Sequence, residues 1–240
     1  SGTRPRSRSW DTPTPLPALN DNGQELGRYD YDTNLQRTWR RSTQENVQYV
    51  LDDSFVLQER DAARQTKRRY HYAQVPLPAS AATGTTPSSR YFSNDALGSA
   101  SDATSTTGEI VATRQYDAWG SHRASTAPSS SDFKLGYTGH QYDVETGLIY
   151  ARARYYDSSL GRFVSRDSYE GHLADAPSLH RYTYAHVNPL RYVDPDGRQV
   201  RLGMSSCDAQ PEHCYQQASR APENSTQVAT RVRQLKDGAT

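Results

Sequence analysis

The chain has 240 residues, a net charge of +1 and only 34% hydrophobic residues. With a mean hydropathy of −0.93, it approaches the composition of disordered chains. The small net charge gives no case for a nucleic-acid partner, and no apolar run is long enough for a membrane span. Seventeen tyrosines oppose disorder, because tyrosine favours half-buried sheet surfaces. The composition therefore predicts a repeat sheet whose units rely on their neighbours for burial.

The first half of the chain is predicted to form an arm followed by strands. Residues 1–25 show no periodicity and are interpreted as an irregular arm or linker. Residues 26–120 contain short alternating runs separated by turn formers, which predicts antiparallel strands joined by hairpins. A helix across residues 43–60 is an alternative that fits the helical period only in part. The segments 79–90 and 121–132, rich in serine, threonine and alanine, are predicted to be exposed loops.

The most regular pattern is LIYARARYYD at residues 148–157, inside a predicted second unit of residues 121–197. Strict alternation over this length predicts a β-strand with two unlike faces. One face would carry Tyr150, Arg152, Arg154 and Tyr156, and the other Ile149, Ala151, Ala153 and Tyr155.

After Asp167 the pattern changes to one rich in proline and histidine. A short helix around Leu179–Ala185 is predicted, with Ser178 as its cap. The sequence Asp-Pro-Asp-Gly at residues 194–197 predicts a tight turn, because proline sets φ and glycine supplies the left-handed residue.

Metal ligands and cofactor sites are not predicted. The histidines lack carboxylate or cysteine partners in a defined register and are interpreted as surface residues. The two cysteines are interpreted as thiols in a polar loop, with one local disulfide as the alternative; their spacing with His213 matches no zinc pattern. The residues concerned are His172, His180, His186, Cys207 and Cys214.

Two motifs, GYTGHQYDVETGLIYARARYYDSSLGRFVSRD and NPLRYVDPDG, resemble the RHS repeat-associated core domain. That domain ends the YD-repeat shell of Rhs polymorphic toxins and of the C component of insecticidal toxin complexes. The resemblance covers about residues 91–197, residues 26–72 weakly, and residues 198–240 not at all. It implies an all-β fold, in which an antiparallel YD-repeat sheet forms the C-terminal portion of a hollow shell and the core domain closes it.

The resemblance also implies an aspartic-type protease that cuts its own chain once, just after the DPxG turn. Two neighbouring carboxylates share one proton, so that one acts as a base and the other as an acid. By motif position the pair is Asp167 and Asp194, and Arg166 would orient or neutralise them. Without the resemblance, Asp-Pro-Asp-Gly is simply a turn. The cleavage site is expected at Gly197, Arg198 and Gln199.

The chain departs from the family pattern in two places. The connector after Asp167 continues as Ser-Tyr-Glu-Gly and is longer than usual, and Arg198 stands where the family usually has leucine.

The functional hypothesis is a toxin shell that encloses a C-terminal effector and releases it by self-cleavage. Residues 198–240 would begin the effector, and we expect the chain to be part of a longer secreted protein. Expected partners are the upstream shell repeats, the passenger, and a secretion-system spike or toxin-complex protein. One alternative is a non-enzymatic, teneurin-like adhesion module. A toxin whose activity lies in the tail is another, which the tail's small size disfavours.

Overall fold

The computed structural model describes residues 16–21, 24–53, 55–72, 78–83, 88–125, 134–171, 173 and 176–203. Within these ranges the regular secondary structure consists almost entirely of β-strands. They form three antiparallel sheets of 11, 4 and 2 strands. The prediction of an all-β antiparallel fold is confirmed. No helix in the described part of the chain is long and apolar enough to cross a membrane.

The large sheet is a meander in which each strand pairs with the next strand along the chain. Local pairing of this kind needs only short hairpin connections. Its strands are β1 (Ala18–Asp21), β2 (Gln24–Tyr31), β3 (Arg37–Ser42), β4 (Asn46–Asp52), β5 (Phe55–Arg60), β6 (Thr66–Tyr72), β7 (Pro78–Thr83), β8 (Ser88–Asn94), β9 (Ala100–Thr104), β10 (Ile110–Tyr116) and β11 (His122–Ser125).

Several boundaries differ from the sequence-based expectations. The arm expected over residues 1–25 contains β1 and the start of β2. The loops expected at 79–90 and 121–132 contain most of β7, part of β8 and all of β11. Polar residues such as serine and threonine can occupy strands where neighbouring strands satisfy the backbone hydrogen bonds. The alternative helix at 43–60 is excluded by β4 and β5.

One turn recurs along the large sheet, and we call it the repeat turn. In the example at Asp95, the Asp95 N–H donates to the Ser99 carbonyl at 2.9 Å, and the Gly98 N–H donates to the Asp95 carbonyl at 2.9 Å. The Asp95 carboxylate accepts a further hydrogen bond from the Ser99 N–H at 2.8 Å. Gly98 has a φ of 83°, in the left-handed region. The same arrangement occurs at Asp32, Asp61 and Asp117, and with a serine hydroxyl at Ser105.

The second sheet consists of β12 (Gln141–Asp143), β13 (Leu148–Ala151), β14 (Arg154–Asp157) and β15 (Arg162–Phe163). The third pairs β16 (Tyr192–Val193) with β17 (Arg201–Leu202). The described helices are single 3₁₀ turns at Tyr137–Gly139, Ala176–Leu179 and Ala185–Val187. The helix predicted at Leu179–Ala185 with a Ser178 cap is therefore wrong. Its residues instead connect the last two of these turns.

The motif LIYARARYYD is a hairpin rather than one strand. A two-residue turn at Arg152 and Ala153 separates β13 from β14, and Arg152 takes a φ of 59°. Tyr150 pairs with Tyr155 across the hairpin, so these two residues share a face that the prediction had separated.

Every residue of β13 and β14 is buried. One face packs in a cluster with Leu19 and Tyr29 of the large sheet and with Leu16, which precedes β1. The opposite face packs on Tyr137, Phe163 and Tyr184 of the core. Because both faces of the two strands are buried, the hydrophobic pattern of the sequence does not show where one strand ends and the next begins.

Arg37 on β3 joins the large sheet to the second sheet. Its side chain is 0% exposed, and its Nη1 donates to Asp143 Oδ2 on β12 at 2.5 Å. The same guanidinium donates to the Tyr155 hydroxyl at 2.9 Å and to the Gln141 side-chain oxygen. Its Cζ lies 4.0 Å from the ring centre of Tyr150. A buried charge is stable only when it is paired and hydrogen-bonded, and Arg37 meets both conditions across the sheet interface.

We expect Arg37→Met to lower the free energy of unfolding by about 3–5 kcal/mol, because it removes the hydrogen-bonded partner of the buried Asp143 carboxylate and leaves only the longer contact to Arg40, at 3.9 Å. The measurement is the midpoint of guanidinium chloride unfolding. Arg41→Met is the matched control, since the Arg41–Asp30 pair is exposed, with side-chain exposures of 42% and 46%. The control should change stability by about 1 kcal/mol or less. Equal effects of the two variants would contradict the role assigned to Arg37.

Candidate functional site

Asp194 follows β16 and begins the Asp-Pro-Asp-Gly turn. Its side chain is 1% exposed. The Asp194 Oδ1 atom accepts hydrogen bonds from the backbone N–H groups of Arg198 at 3.0 Å and Gln199 at 3.1 Å. Gly197, three residues after Asp194, has a φ of 72°. The turn therefore shares two features with the repeat turn: a carboxylate on the amide four residues later and a left-handed residue in between.

Asp167 follows β15 and is held by local backbone contacts. Its N–H donates to the Arg181 carbonyl at 3.0 Å, and its Oδ1 accepts from the Tyr169 N–H at 2.9 Å. The side chain is 11% exposed. Asp167 is thus nearly buried at the point where the long connector to Asp194 begins.

The structure brings the two predicted aspartates together through Arg154 on β14. The Arg154 Nη2 atom lies 2.8 Å from Asp167 Oδ2 and 3.2 Å from Asp194 Oδ2. Because both oxygens contact the same nitrogen, they are at most about 6 Å apart, a span that one water can bridge. The two carboxylates are therefore close enough to act as a pair.

The turn is pressed against the end of the β13–β14 hairpin. A Cβ atom at Gly197 would lie 2.1 Å from the Ala151 carbonyl oxygen, so only glycine fits there. The Ala153 N–H donates to the Asp196 carbonyl at 3.2 Å, and Arg154 Nε donates to the Gly197 carbonyl oxygen. The peptide bond between Gly197 and Arg198 is consequently held at its oxygen by Arg154 and at its nitrogen by Asp194.

Burial raises the pKa of Asp194 to about 7, against the positive charge of Arg154, which lowers it. The negative charges of Asp196 and Asp167 raise it further. Burial also raises the pKa of Asp167, again opposed by Arg154. One carboxyl group of the pair can therefore hold a proton near neutral pH while the other is ionised, as acid–base catalysis by two carboxylates requires.

Two further residues shape the turn. The Asp196 Oδ1 atom accepts from the N–H groups of Arg198 and Gln199, both at 3.0 Å, so each amide is shared by two carboxylates. Burial lowers the pKa of His140 to about 4, with a smaller contribution from Arg152. The imidazole is therefore neutral at neutral pH. Its Nε2 lies 2.9 Å from the Asp194 carbonyl oxygen and carries the proton that it donates there.

Arg166 does not take the place expected of it. It is exposed, whereas its neighbour Asp167 is buried, and no ion pair joins Arg166 to either aspartate among the described residues. Arg154 occupies the position between the carboxylates instead. The alternation in the sequence places Arg154 on a strand face but does not connect it to the aspartates. The feature that could have identified Arg154 is its position in a strand whose residues are all buried, because a buried arginine needs a charged partner.

The other predicted residues lie apart from the site or outside the described residues. Arg198 and Gln199 are exposed at the turn, and so is His180 on the connector. His186 is half-buried, and its ring lies tilted against that of Tyr192, with ring centres 5.7 Å apart. No group of three potential metal ligands occurs among the residues that the structure describes. The positions that the structure does not describe are His172, Cys207, His213 and Cys214.

Comparison with known proteins defines the class of this fold. The chain matches the family described as Teneurin YD-shell over residues 28–190. It is 34% identical over 198 residues to the tRNA(Glu)-specific nuclease WapA of Bacillus subtilis subsp. natto, covering 80% of this chain and 8% of that protein. It is also 34% identical over 111 residues to the double-stranded DNA deaminase toxin A of Burkholderia cenocepacia, covering 45% and 7%.

Solved structures of toxin complexes share the fold. The chain is similar to the crystal structure of TcdB2-TccC3-Cdc42, with a TM-score of 0.59 and 21% sequence identity. The match covers 77% of this chain and 9% of the other. The chain is also similar to the structure of the Photorhabdus luminescens Tc holotoxin pore, with a TM-score of 0.56 and 19% sequence identity. This match again covers 77% of this chain and 9% of the other. The fold is thus that of a YD-repeat shell.

The chain belongs to the Teneurin YD-shell family and is similar to Rhs-type toxins, which confirms the resemblance found in the sequence. It spans less than a tenth of the length of the curated relatives described above.

The raised pKa of Asp194 can be tested by carbon-13 NMR titration of the aspartate carboxyl groups. We expect one aspartate signal to titrate near pH 7, because burial disfavours the charged carboxylate. The signal should be absent from Asp194→Asn and retained in Asp30→Asn, which changes an exposed carboxylate on β2. If every aspartate midpoint lies below about pH 5, close to ordinary values, the environment described for Asp194 is wrong.

Proposed function

We propose that this chain is the closing segment of a toxin shell that cuts its own backbone between Gly197 and Arg198. The main support for the proposal is that side chains contact both the oxygen and the nitrogen of this peptide bond. Arg154 donates to its carbonyl oxygen, and the carboxylate of Asp194 contacts its N–H group. Asp167 contacts the same guanidinium through Nη2, at 2.8 Å. The proposed acid and a hydrogen-bond donor therefore contact one peptide bond, and the proposed base contacts that same donor.

The reaction is hydrolysis with water as the second reactant. Ionised Asp167 takes a proton from water, and the resulting hydroxide attacks the Gly197 carbonyl carbon. Protonated Asp194 gives its proton to the Arg198 nitrogen as the carbon–nitrogen bond breaks. The products are a carboxylate at Gly197 and a free amine at Arg198. Because the bond is tethered to Asp194, its effective concentration at the site is high.

This segment would close a larger shell. The large sheet would continue through upstream repeats of the same protein, because β1 is the outermost strand of this sheet among the described residues and an outermost strand can pair with another. The passenger would be a C-terminal effector that begins near residue 198, and the protein would be delivered outside the producing cell. Its partners would be a secretion spike or toxin-complex proteins. The similarity to named toxins and to toxin-complex structures supports this part of the proposal.

The passenger's first residues would stay attached after cleavage. Strand β17 pairs with β16, and the Gly203 N–H donates to the Arg191 carbonyl at 2.8 Å. Both contacts join the two sides of the proposed cut. Cleavage would therefore separate the fragments covalently, while their physical separation would need a further step.

A second candidate is a structural module without self-cleavage. The match to the Teneurin YD-shell family favours it, since that match ends at residue 190, before the Asp-Pro-Asp-Gly turn. In that case Arg154 serves only to hold the turn and the connector together. The two candidates differ in one measurable outcome, which is whether the backbone is cut.

We expect Asp167→Asn to slow cleavage by at least about 100-fold, since loss of a general base typically has an effect of this size or larger. Asparagine keeps the shape and can still accept the hydrogen bond from Tyr169. The readout is mass spectrometry under denaturing conditions, because the β16–β17 pairing would hold cut fragments together. Glu170→Gln is the matched control, since this neighbouring carboxylate is 83% exposed and touches neither Asp194 nor the turn.

The cleavage rate should also depend on pH. It should fall as the pH rises through about 7, because Asp194 then loses the proton that it must donate. It should fall again in acid, where Asp167 gains a proton. A parent chain that keeps one mass near 26.9 kDa throughout this range would reject the protease and leave the structural module.

A further inference from the structure

A small cavity is lined by residues of both the large sheet and the second sheet, and we call it the inter-sheet cavity. It has about 30 Å³ of space for the centres of water-sized groups. One buried water needs about 10–15 Å³ by this measure, so two or three water-sized groups would fit. Much of the wall is apolar, formed by Leu51, Val56 and Tyr72 of the large sheet and by Leu135 and Tyr150. The cavity can therefore hold only a small group.

The wall of the inter-sheet cavity contains one charge without a partner. Its charged residues are Arg37 and Arg152, and no aspartate or glutamate of the described chain lines it. Arg37 already pairs with Asp143. Arg152 makes no hydrogen bond or ion pair among the described residues, and its Cζ lies 5.2 Å from the ring centre of Phe55. Because arginine stays protonated in proteins, the Arg152 guanidinium brings an unpaired positive charge to the cavity.

Other arginines of this structure show what Arg152 lacks. Carboxylate oxygens lie 2.5–2.8 Å from four buried arginines, which are Arg37, Arg40, Arg68 and Arg154. Arg152 is half-buried, and burial lowers its pKa because desolvation disfavours the charged form. The electrostatic influence of Tyr72 and Asp196 opposes this effect only from a distance, without an ion pair. Arg152 therefore lacks the anion that makes burial of a guanidinium favourable.

The backbone at Arg152 favours glycine rather than arginine. Arg152 is the first residue of the two-residue turn between β13 and β14 and has a φ of 59°. Glycine is preferred at the first position of such a turn when φ is positive there. An arginine at this position is thus explained by its side chain and not by the turn.

We propose that the inter-sheet cavity binds one carboxylate group, which becomes the ion-pair partner of Arg152. A guanidinium can donate two parallel hydrogen bonds to the two oxygens of a carboxylate, and a group of this size matches the space. Phosphate, with four oxygens, is larger. Gln36 also lines the cavity, and no hydrogen bond holds its side-chain amide within the described ranges, so it is a second donor.

The carboxylate has two possible sources, which are a free small acid and an aspartate or glutamate side chain of the protein outside the described residues. Both would present the same two oxygens to Arg152. The inference does not depend on self-cleavage, because none of its contacts involves the Gly197–Arg198 bond.

Saturation-transfer NMR on the methyl group of acetate tests the binding. We expect a signal with the parent chain that saturates at millimolar acetate, since so small a ligand makes few contacts. Acetamide, which has nearly the same shape but no charge, should give no signal. Arg152→Gln should lose the acetate signal, because glutamine keeps a hydrogen-bond donor without the charge.

Two further variants separate binding from folding. Arg152→Gly should also lose the acetate signal while keeping the sheets, because glycine is preferred at this φ. Arg41→Gln is the matched control, since Arg41 is an exposed arginine paired with Asp30, and it should keep the parent signal. Circular dichroism of each variant checks that the β signal is retained.

The outcomes also distinguish the two sources. Loss of acetate binding in both Arg152 variants, but not in Arg41→Gln, supports the inference with a free acid as the ligand. If the parent binds no acetate, a side chain already in the cavity would appear in a carbon-13 titration. Arg152→Gly would then raise the pKa of one carboxyl group other than Asp53 and Asp196, which Arg152 already influences from a distance. Equal acetate binding by the parent and both Arg152 variants, or neither effect at all, would overturn the inference and leave a cavity that holds only water.

Discussion

The Arg37–Asp143 ion pair connects the two main parts of this molecule. It lies between the large sheet and the second sheet, where both side chains are almost fully buried. The guanidinium is surrounded by tyrosines, which contact it with their ring faces and, in Tyr155, with a hydroxyl group. This polar centre acts together with the apolar cluster through which the β13–β14 hairpin packs on the large sheet.

This arrangement explains how so hydrophilic a chain forms a buried interior. Tyrosine supplies a large apolar ring together with a hydroxyl group that finds a partner, and arginine covers apolar surface with its stem and stacks on rings. The fold therefore obtains burial from residues that hydropathy scales count as polar. Arg154 likewise stacks on an aromatic ring, that of Phe163, next to the candidate site.

The candidate site depends on the β13–β14 hairpin. Because one face of the hairpin packs on the large sheet, its end is held firmly and can support the Asp-Pro-Asp-Gly turn at a distance that only glycine allows. The turn itself resembles those that join the shell strands. A turn that recurs between the strands of the large sheet is here placed against a buried arginine and a second carboxylate. Burial raises the pKa of Asp194 at this position, although the positive charge of Arg154 lowers it.

The sequence determined the all-β class, the antiparallel hairpins and the family, because period-two alternation, turn residues and motif spacing are local properties. It also singled out two aspartates that the structure places near each other. It misplaced the strand through LIYARARYYD and the helix near Ser178, since both depend on burial by distant segments. It also named Arg166, whereas Arg154 lies between the carboxylates. Residues 154, 167 and 194 are far apart in the chain, and only the packing of the hairpin against the turn decides which charged groups meet.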